Sequence, residues 1–316
     1  NDEVRYVYNY PDPEDISNQQ KTYIQNLVGN FEDALWGANF QDPILGYRPY
    51  INTRSFIDYF IVNEFARNVD GFKKSRNFYK DKDSKDSLIY AGPVWDFDWA
   101  YKDHDSGMLN GSGWRHDYSG PTDVKPPGWY IRLLQDSSFA DELSCRYFNL
   151  RNTVLDTANL FHFIDSLGGV VDAAQERHYV RWPILGVNVG TPEIGAQPLT
   201  YAEELIKFKT WISDRLNWLD INMPGNCPNV GINASSSLVN PYVVVYPNPS
   251  NELISVYADK LIDKIEIFDA RGVMVIQKAG NGLNLISIDA NHLSGFYTLK
   301  IHLKNKLVFQ KKLVSY

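Results

Sequence analysis

The spacing of apolar residues changes near residues 225–240, and this break constrains the fold more than any other feature. Before it, apolar residues recur every three or four positions, the period of amphipathic helices. After it, short alternating runs are separated by turn residues, a pattern typical of β-strands. The sequence therefore predicts an α+β chain with a mainly helical domain at 1–224, a linker at 225–240 and a small immunoglobulin-like β-sandwich at 241–316.

The net charge is divided at the same break. Residues 1–240 contain 22 Lys and Arg against 32 Asp and Glu, a balance of −10, and residues 241–316 contain 9 against 6, a balance of +3. Because nucleic acid attracts positive surfaces, the acidic body argues against nucleic acid as a partner. No apolar run approaches the roughly 18 residues that a membrane helix needs, so we expect no transmembrane segment.

Local signals predict the first elements of the helical domain. A helix is expected to begin after Ser17, a good N-cap residue, and to end at Gly37. A second helix is predicted over about residues 53–68. Two short strands at 77–79 and 87–90 then flank a charged turn.

A group of polar residues follows the second predicted helix. Asp96 and Asp98 are two positions apart, so in an extended segment both carboxylates point to one side and Phe97 points into the core. Two such carboxylates suit Mg²⁺ or Mn²⁺, and Asn77 adds a neutral oxygen ligand. Asp70 is a candidate for orienting a hydroxyl, which completes the layout of a phosphotransfer site. An isolated pair of this spacing is more often a solvated turn, so the residues alone leave the metal role open.

A long segment at 102–128 is rich in Gly, Ser, Pro and Asp and has no periodicity. Loops of this length inside a compact domain are usually functional or disordered. Aromatic residues within it and on either side of it, Trp99, Tyr101, Trp114 and Trp129, are candidates for an aromatic platform beside the carboxylates. Packing of the same side chains onto the domain is the alternative.

The two cysteines, Cys145 and Cys227, form no metal-binding motif. Either a long-range disulfide or two free thiols is consistent with their spacing.

Several of these motifs resemble the spore-coat CotH kinase family over about residues 5–220. The most specific is Gly-Pro-Val-Trp-Asp-Phe-Asp at 92–98, and the others lie at 55–65, 68–71 and 77–81. The family is similar to atypical protein kinases, and characterised members phosphorylate serines of secreted or coat proteins.

The resemblance implies a role for each polar residue of the candidate site. Asp70 would be the catalytic-loop aspartate, Asn77 a metal ligand and either Asp96 or Asp98 the metal-binding aspartate, with ATP and Mg²⁺ or Mn²⁺ as cofactors. The chain would correspond to a kinase-like C-lobe without its N-lobe. Residues 99–102 also lack the glycine that members often carry after the D-x-D pair. We therefore expect this fragment alone to bind nucleotide poorly and to be inactive.

The tail resembles a second family. Its motifs are Val-Tyr-Pro-Asn-Pro-Ser at 245–250, Ile-Phe-Asp-Ala-Arg-Gly at 267–272 and Leu-Ser-Gly-Phe-Tyr at 293–297. Together they resemble the type A C-terminal sorting domain of the type IX secretion system, over 241–316. The resemblance implies a Bacteroidetes protein that the type IX machinery exports to the cell surface or the medium. That location favours a disulfide between Cys145 and Cys227.

Three functions remain as hypotheses. The first is a secreted CotH-like kinase that phosphorylates Ser or Thr of extracellular proteins. The second is a catalytically inactive, kinase-like surface module that binds a glycan or a protein. A glycoside hydrolase ranks last, because the carboxylates of Asp96 and Asp98 would lie closer than the roughly 5 Å that a retaining pair needs.

Overall fold

A computed structural model describes most of the chain, and its residues form an α+β fold. The described residues are 4–104, 107–117, 124, 126–190, 193–227, 243–246, 248, 250, 253–258, 260–304 and 306–315. The chain divides into two compact units, residues 1–229 and 230–316.

Helices dominate the first unit. Its described elements are α1 (Asn18–Trp36), α2 (Thr53–Ala66), β1 (Arg76–Lys80), β2 (Ile89–Val94), α3 (Trp129–Leu133), α4 (Ser137–Arg151), α5 (Thr157–Val170), α6 (Asp172–Arg181) and α7 (Tyr201–Asn222). The predicted start of α1 is confirmed: the Ser17 hydroxyl accepts a hydrogen bond from the Gln20 amide at 3.3 Å, and Gly37 is the C-cap.

Helix α2 lies at the centre of this unit. Most of its residues are buried, and it contacts β2, α4 and α7. A helix that is apolar around most of its circumference is stable only when other elements cover it. The Asn52 side chain caps its start by accepting from the Ser55 amide at 2.9 Å. At its end, Arg67 adopts a left-handed conformation with φ 50°, which turns the chain towards the candidate site.

Strands β1 and β2 form an antiparallel hairpin in which Phe78 pairs with Ala91. The hairpin ends at Val94, before the D-x-D pair. The extended geometry considered for Asp96–Asp98 therefore does not form: Asp96 has φ 61°, far from the negative φ values typical of β-strands. Aspartate tolerates this left-handed region better than most residues. Phe97 is half-buried and does not enter the core.

The second unit is a sandwich of two antiparallel sheets. Its described strands are β3 (Val243–Tyr246), β4 (Leu253–Ala258), β5 (Ile262–Phe268), β6 (Met274–Ala279), β7 (Leu285–Asp289), β8 (Gly295–Leu303) and β9 (Val308–Ser315). The strand order is β3-β4-β7 in one sheet and β6-β5-β8-β9 in the other. Val256 and Ile288 from the first sheet share one buried core with Ile265 and Leu299 from the second.

Candidate functional site

Asp70 lies in a tight turn just after helix α2. Its backbone carbonyl accepts hydrogen bonds from the amides of Lys73 and Ser75, each at 3.0 Å, and the Tyr59 hydroxyl donates to the carbonyl of Gly71 at 2.7 Å. The Asp70 carboxylate is 30% exposed and lies 3.1 Å from Lys73 Nζ. The backbone of this turn is therefore fixed from several directions, while the carboxylate remains accessible.

Asp96 lies beside this turn. The Ser75 hydroxyl donates to Asp96 Oδ2 at 3.3 Å, and the Asn68 amide nitrogen donates to the Asp96 carbonyl at 3.3 Å. The side chain of Asp96 is exposed. The fold thus brings together two segments that are 26 positions apart in sequence, counting from Asp70 to Asp96.

Asn77 and Asp98 complete the predicted set with fewer contacts. Asn77 is half-buried on β1, and its amide nitrogen donates to the Pro93 carbonyl at 3.3 Å, which leaves Oδ1 as an acceptor. Asp98 is exposed, and its carbonyl accepts from Lys102 Nζ at 3.0 Å. No hydrogen bond joins the Asp98 carboxylate to the other three residues in the described part of the site.

The oxygen atoms that these residues offer as ligands suit Mg²⁺ or Mn²⁺. Mg²⁺ is usually bound through one or two carboxylates together with substrate phosphates and waters, and seldom in an all-protein cage. For such an ion, Asp96 and Asp98 would supply the carboxylates, and Asn77 would supply an amide oxygen. Among the residues that the structure describes, no cluster of three or more His, Cys, Asp or Glu side chains forms a closed metal site. An open, partly hydrated site is the arrangement that these residues favour.

Three members of the predicted aromatic platform belong to the packing of the domain. Trp129 is 2% exposed, and Tyr101 and Trp114 pack against the hydrophobic core. Burial of large aromatic area is favourable, which explains why these rings do not remain at the surface. Trp99 is 38% exposed. Trp95 is 67% exposed and was not predicted for the platform. Its position directly before Asp96, and after the segment that contains Asn77, was a signal for it.

A fully buried ion pair joins helices α2 and α7, and it was not predicted from the sequence. Glu64 on α2 and Arg215 on α7 are each 0% exposed, with Glu64 Oε2 2.9 Å from Arg215 Nη2. Glu64 Oε1 lies 2.7 Å from His116 Nδ1 and accepts from the His116 amide at 2.8 Å. The only available signal was a glutamate within the apolar run of α2.

These contacts lower the pKa of Glu64. Burial by itself raises the pKa of the carboxyl, but the hydrogen bond from His116 and the nearby charges of His116 and Arg215 outweigh it. Arg215 also donates to the carbonyls of Gly111 and Gly113 at 2.8 and 2.7 Å. The pair therefore fixes the loop around residues 111–116 against α2 and α7.

The lowered pKa of Glu64 predicts acid sensitivity of the first unit. A carboxyl whose folded-state pKa is depressed stabilises the fold above its ordinary value of 4.5, and this stabilisation is lost as the pH falls through the lowered pKa. All eight tryptophans lie in residues 1–229, so their fluorescence reports on this unit alone. In urea titrations between pH 3 and 6, Glu64→Gln is expected to reduce the pH slope by up to about 1.4 kcal/mol per pH unit.

The control for this measurement is Glu176→Gln on the exposed surface of α6. Its pH slope is expected to match that of the wild type. Equal slopes for the wild type and Glu64→Gln would contradict the assignment of acid sensitivity to Glu64.

The two cysteines are joined as a disulfide across 82 positions of sequence. Cys145 lies on α4, and Cys227 follows the end of α7. The bond ties the last described segment of the first unit to one of its buried helices.

Comparison with known families matches both parts of the chain. A family model described as CotH kinase protein matches residues 1–219, and a model described as secretion system C-terminal sorting domain matches residues 244–315. No curated protein matches the chain. Among the described helices, none combines the length and the apolar character needed to cross a membrane.

Proposed function

Because the chain belongs to the CotH kinase family, we propose that the full-length protein transfers phosphate from a nucleotide to Ser or Thr side chains of extracellular proteins. The sorting domain at 244–315 indicates export to the cell surface or the medium and involvement of the type IX secretion machinery. The observation that carries the proposal is the contact between the Asp70 turn and Asp96 through Ser75 and Asn68. Kinase chemistry requires a hydroxyl-orienting carboxylate close to metal-binding carboxylates.

Each residue has a distinct role in this proposal. Asp70 accepts the hydrogen of the attacking hydroxyl and orients its oxygen, and the contact with Lys73 fixes the direction of the carboxylate. Asp96, Asp98 and Asn77 would hold a divalent cation, Mg²⁺ or Mn²⁺, that accompanies ATP. When bound, the cation neutralises charge on the phosphate oxygens. Ser75 donates to Asp96 Oδ2 and so orients that carboxylate from the side of the Asp70 turn.

A phosphotransfer assay tests the proposal. The full-length protein is incubated with radiolabelled ATP, Mg²⁺ or Mn²⁺ and a Ser-rich acceptor protein. We expect Asp70→Ala and Asp96→Ala each to reduce the transfer rate at least about 100-fold, because positioned acid–base and electrostatic groups contribute effects of this size. Asp172→Ala, on the exposed surface of α6, serves as the matched carboxylate control and is expected to retain the wild-type rate. Undiminished transfer by both site variants would exclude these roles.

The exposed aromatic rings support a second candidate, a binding module for a glycan or a protein. Trp95 and Trp99 are 67% and 38% exposed and flank the D-x-D pair. Aromatic faces of this kind are common in binding surfaces. Saturable binding of a polysaccharide that Trp95→Ala abolishes, together with no phosphotransfer and no thermal shift on adding ATP and Mg²⁺, would favour this candidate over the kinase.

A further inference from the structure

A pair of buried asparagines lies beneath the candidate site. Asn63 on α2 is 1% exposed and Asn68 is 0% exposed. Asn68 Nδ2 donates to Asn63 Oδ1 at 3.2 Å, and Asn63 Nδ2 donates to the Tyr59 carbonyl at 3.0 Å. The second asparagine is therefore anchored to the central helix through the first.

Asn68 also contacts both segments of the site. Its Nδ2 donates to the Asp96 carbonyl at 3.3 Å, and its Oδ1 accepts from the Asp70 amide at 3.3 Å. One side chain thus bonds the backbone of the hydroxyl-orienting aspartate and the backbone of a metal-binding aspartate.

The Asp70 turn rests directly on the asparagine pair. A Cβ atom placed on Gly71 would lie 2.1 Å from Asn63 Oδ1, closer than atoms can approach. Only glycine allows this contact without displacing the Asn63 side chain. The turn and the asparagine pair are therefore in direct steric contact, so a shift of one displaces the other.

A buried amide group is stable only while its donors and acceptors are paired. The bonds of Asn68 to Asn63, Asp70 and Asp96 are made together only when both segments occupy the positions seen here. Movement of either segment would leave a buried polar atom without its partner. The pair therefore favours one spacing between the two segments over others.

We propose that Asn68, oriented by Asn63, is a positioning residue that sets the spacing between Asp70 and the Asp96–Asp98 segment. It touches neither substrate nor cation, and it acts through the backbone of the two aspartates. This inference rests on the proposed function insofar as the spacing determines affinity for a divalent cation. Partners that orient ligand residues typically affect metal affinity by 10- to 100-fold.

The test compares Asn68→Ala with the wild type in the full-length protein. Hydrogen–deuterium exchange is followed in peptides that cover residues 69–75 and 95–98, and Mn²⁺ alone is titrated by its paramagnetic relaxation of water protons. We expect faster exchange in both peptides and a 10- to 100-fold weaker affinity for Mn²⁺. Asn63→Ala leaves the bonds from Asn68 to both segments in place and is expected to give a smaller effect of the same kind. If Asn68→Ala does not fold, Asn63→Ala is used for the test in its place.

The matched control is Asn52→Ala, which removes the cap at the opposite end of the same helix. It lowers global stability without touching the site, so exchange in the two peptides relative to the rest of the unit and Mn²⁺ affinity are expected to remain at wild-type values. The inference is overturned if Asn68→Ala behaves like Asn52→Ala, or if only one of the two peptides changes. If the wild type binds no Mn²⁺ and transfers no phosphate, the proposed function fails, while the exchange data still decide whether Asn68 links the two segments.

Discussion

Replacing Arg215 with methionine is expected to lower the free energy of unfolding of residues 1–229 by about 3–5 kcal/mol. Arg215 and Glu64 are both fully buried, so removal of the cation leaves a carboxylate in the interior without its fully buried counter-charge. A buried charge pair adds little to stability compared with apolar residues of the same size, but breaking one half of it is costly. The size of the effect follows from the charge that remains.

The loss of Arg215 also leaves backbone acceptors without donors. Its guanidinium donates to the carbonyls of Glu64, Gly111 and Gly113, in addition to the Glu64 carboxylate. Methionine fills a similar length but donates no hydrogen bond. The contacts of Glu64 with His116 and with the Arg115 amide persist and compensate part of the loss.

Urea unfolding followed by tryptophan fluorescence measures this effect, because every tryptophan lies in the first unit. Lys85→Met is the matched control, since it removes the cation of an exposed pair with Asp81, whose side chains are 69% and 44% exposed. Its expected cost is below about 1 kcal/mol. A cost for Arg215→Met no larger than that of the control would show that the interior relaxes or admits water around Glu64.

The sequence was informative where a signal is local. The start of α1 was predicted from Ser17, and the change of apolar period near 225–240 separated a mainly helical region from a region of strands, because capping and periodicity depend on residues close in the chain. The aspartates of the candidate site were selected from short motifs in the same way. The roles of those residues stay predictions.

The errors arose where long-range contacts decide the conformation. Asp96 turns into the left-handed region where Asn68 and Ser75 hold it, and no spacing rule contains that information. The partner of Glu64 lies 151 positions away on α7, so the pair is invisible to any local pattern. Trp129 directly follows the segment without periodicity at 102–128, and no local pattern distinguishes a surface ring from a core anchor at that position.

Removal of the Cys145–Cys227 disulfide is expected to lower the free energy of unfolding of the first unit by about 4.5 kcal/mol. The bond spans 82 positions, and a cross-link over such a length restricts the unfolded chain much more than it restricts the folded one. The protein is exported, and oxidising compartments are where disulfides form and persist.

The folded state is expected to change little without the bond, because other contacts hold the same segment. The Met223 amide donates to the Leu219 carbonyl at 2.8 Å, and the Asn226 amide donates to Asp141 Oδ1 at 2.6 Å. The backbone of Gly225 also lies against α4, since a Cβ there would be 2.1 Å from the Ala140 carbonyl oxygen. The effect therefore belongs to the unfolded chain, which gains conformational freedom when the cross-link is absent.

Because the effect arises in the unfolded chain, a second quantity in the same urea titration is expected to change. A Cys145→Ser/Cys227→Ser double variant is expected to show a larger dependence of the unfolding free energy on urea, because the more expanded unfolded chain exposes more surface. Wild-type protein reduced with dithiothreitol is expected to show the same two changes, which separates loss of the bond from any effect of the serines. Asp141→Asn, which weakens only the local contact with Asn226, serves as the control and is expected to leave the urea dependence unchanged. A loss below about 1 kcal/mol with an unchanged urea dependence would contradict both the expected size of the stabilisation and its origin in the unfolded chain.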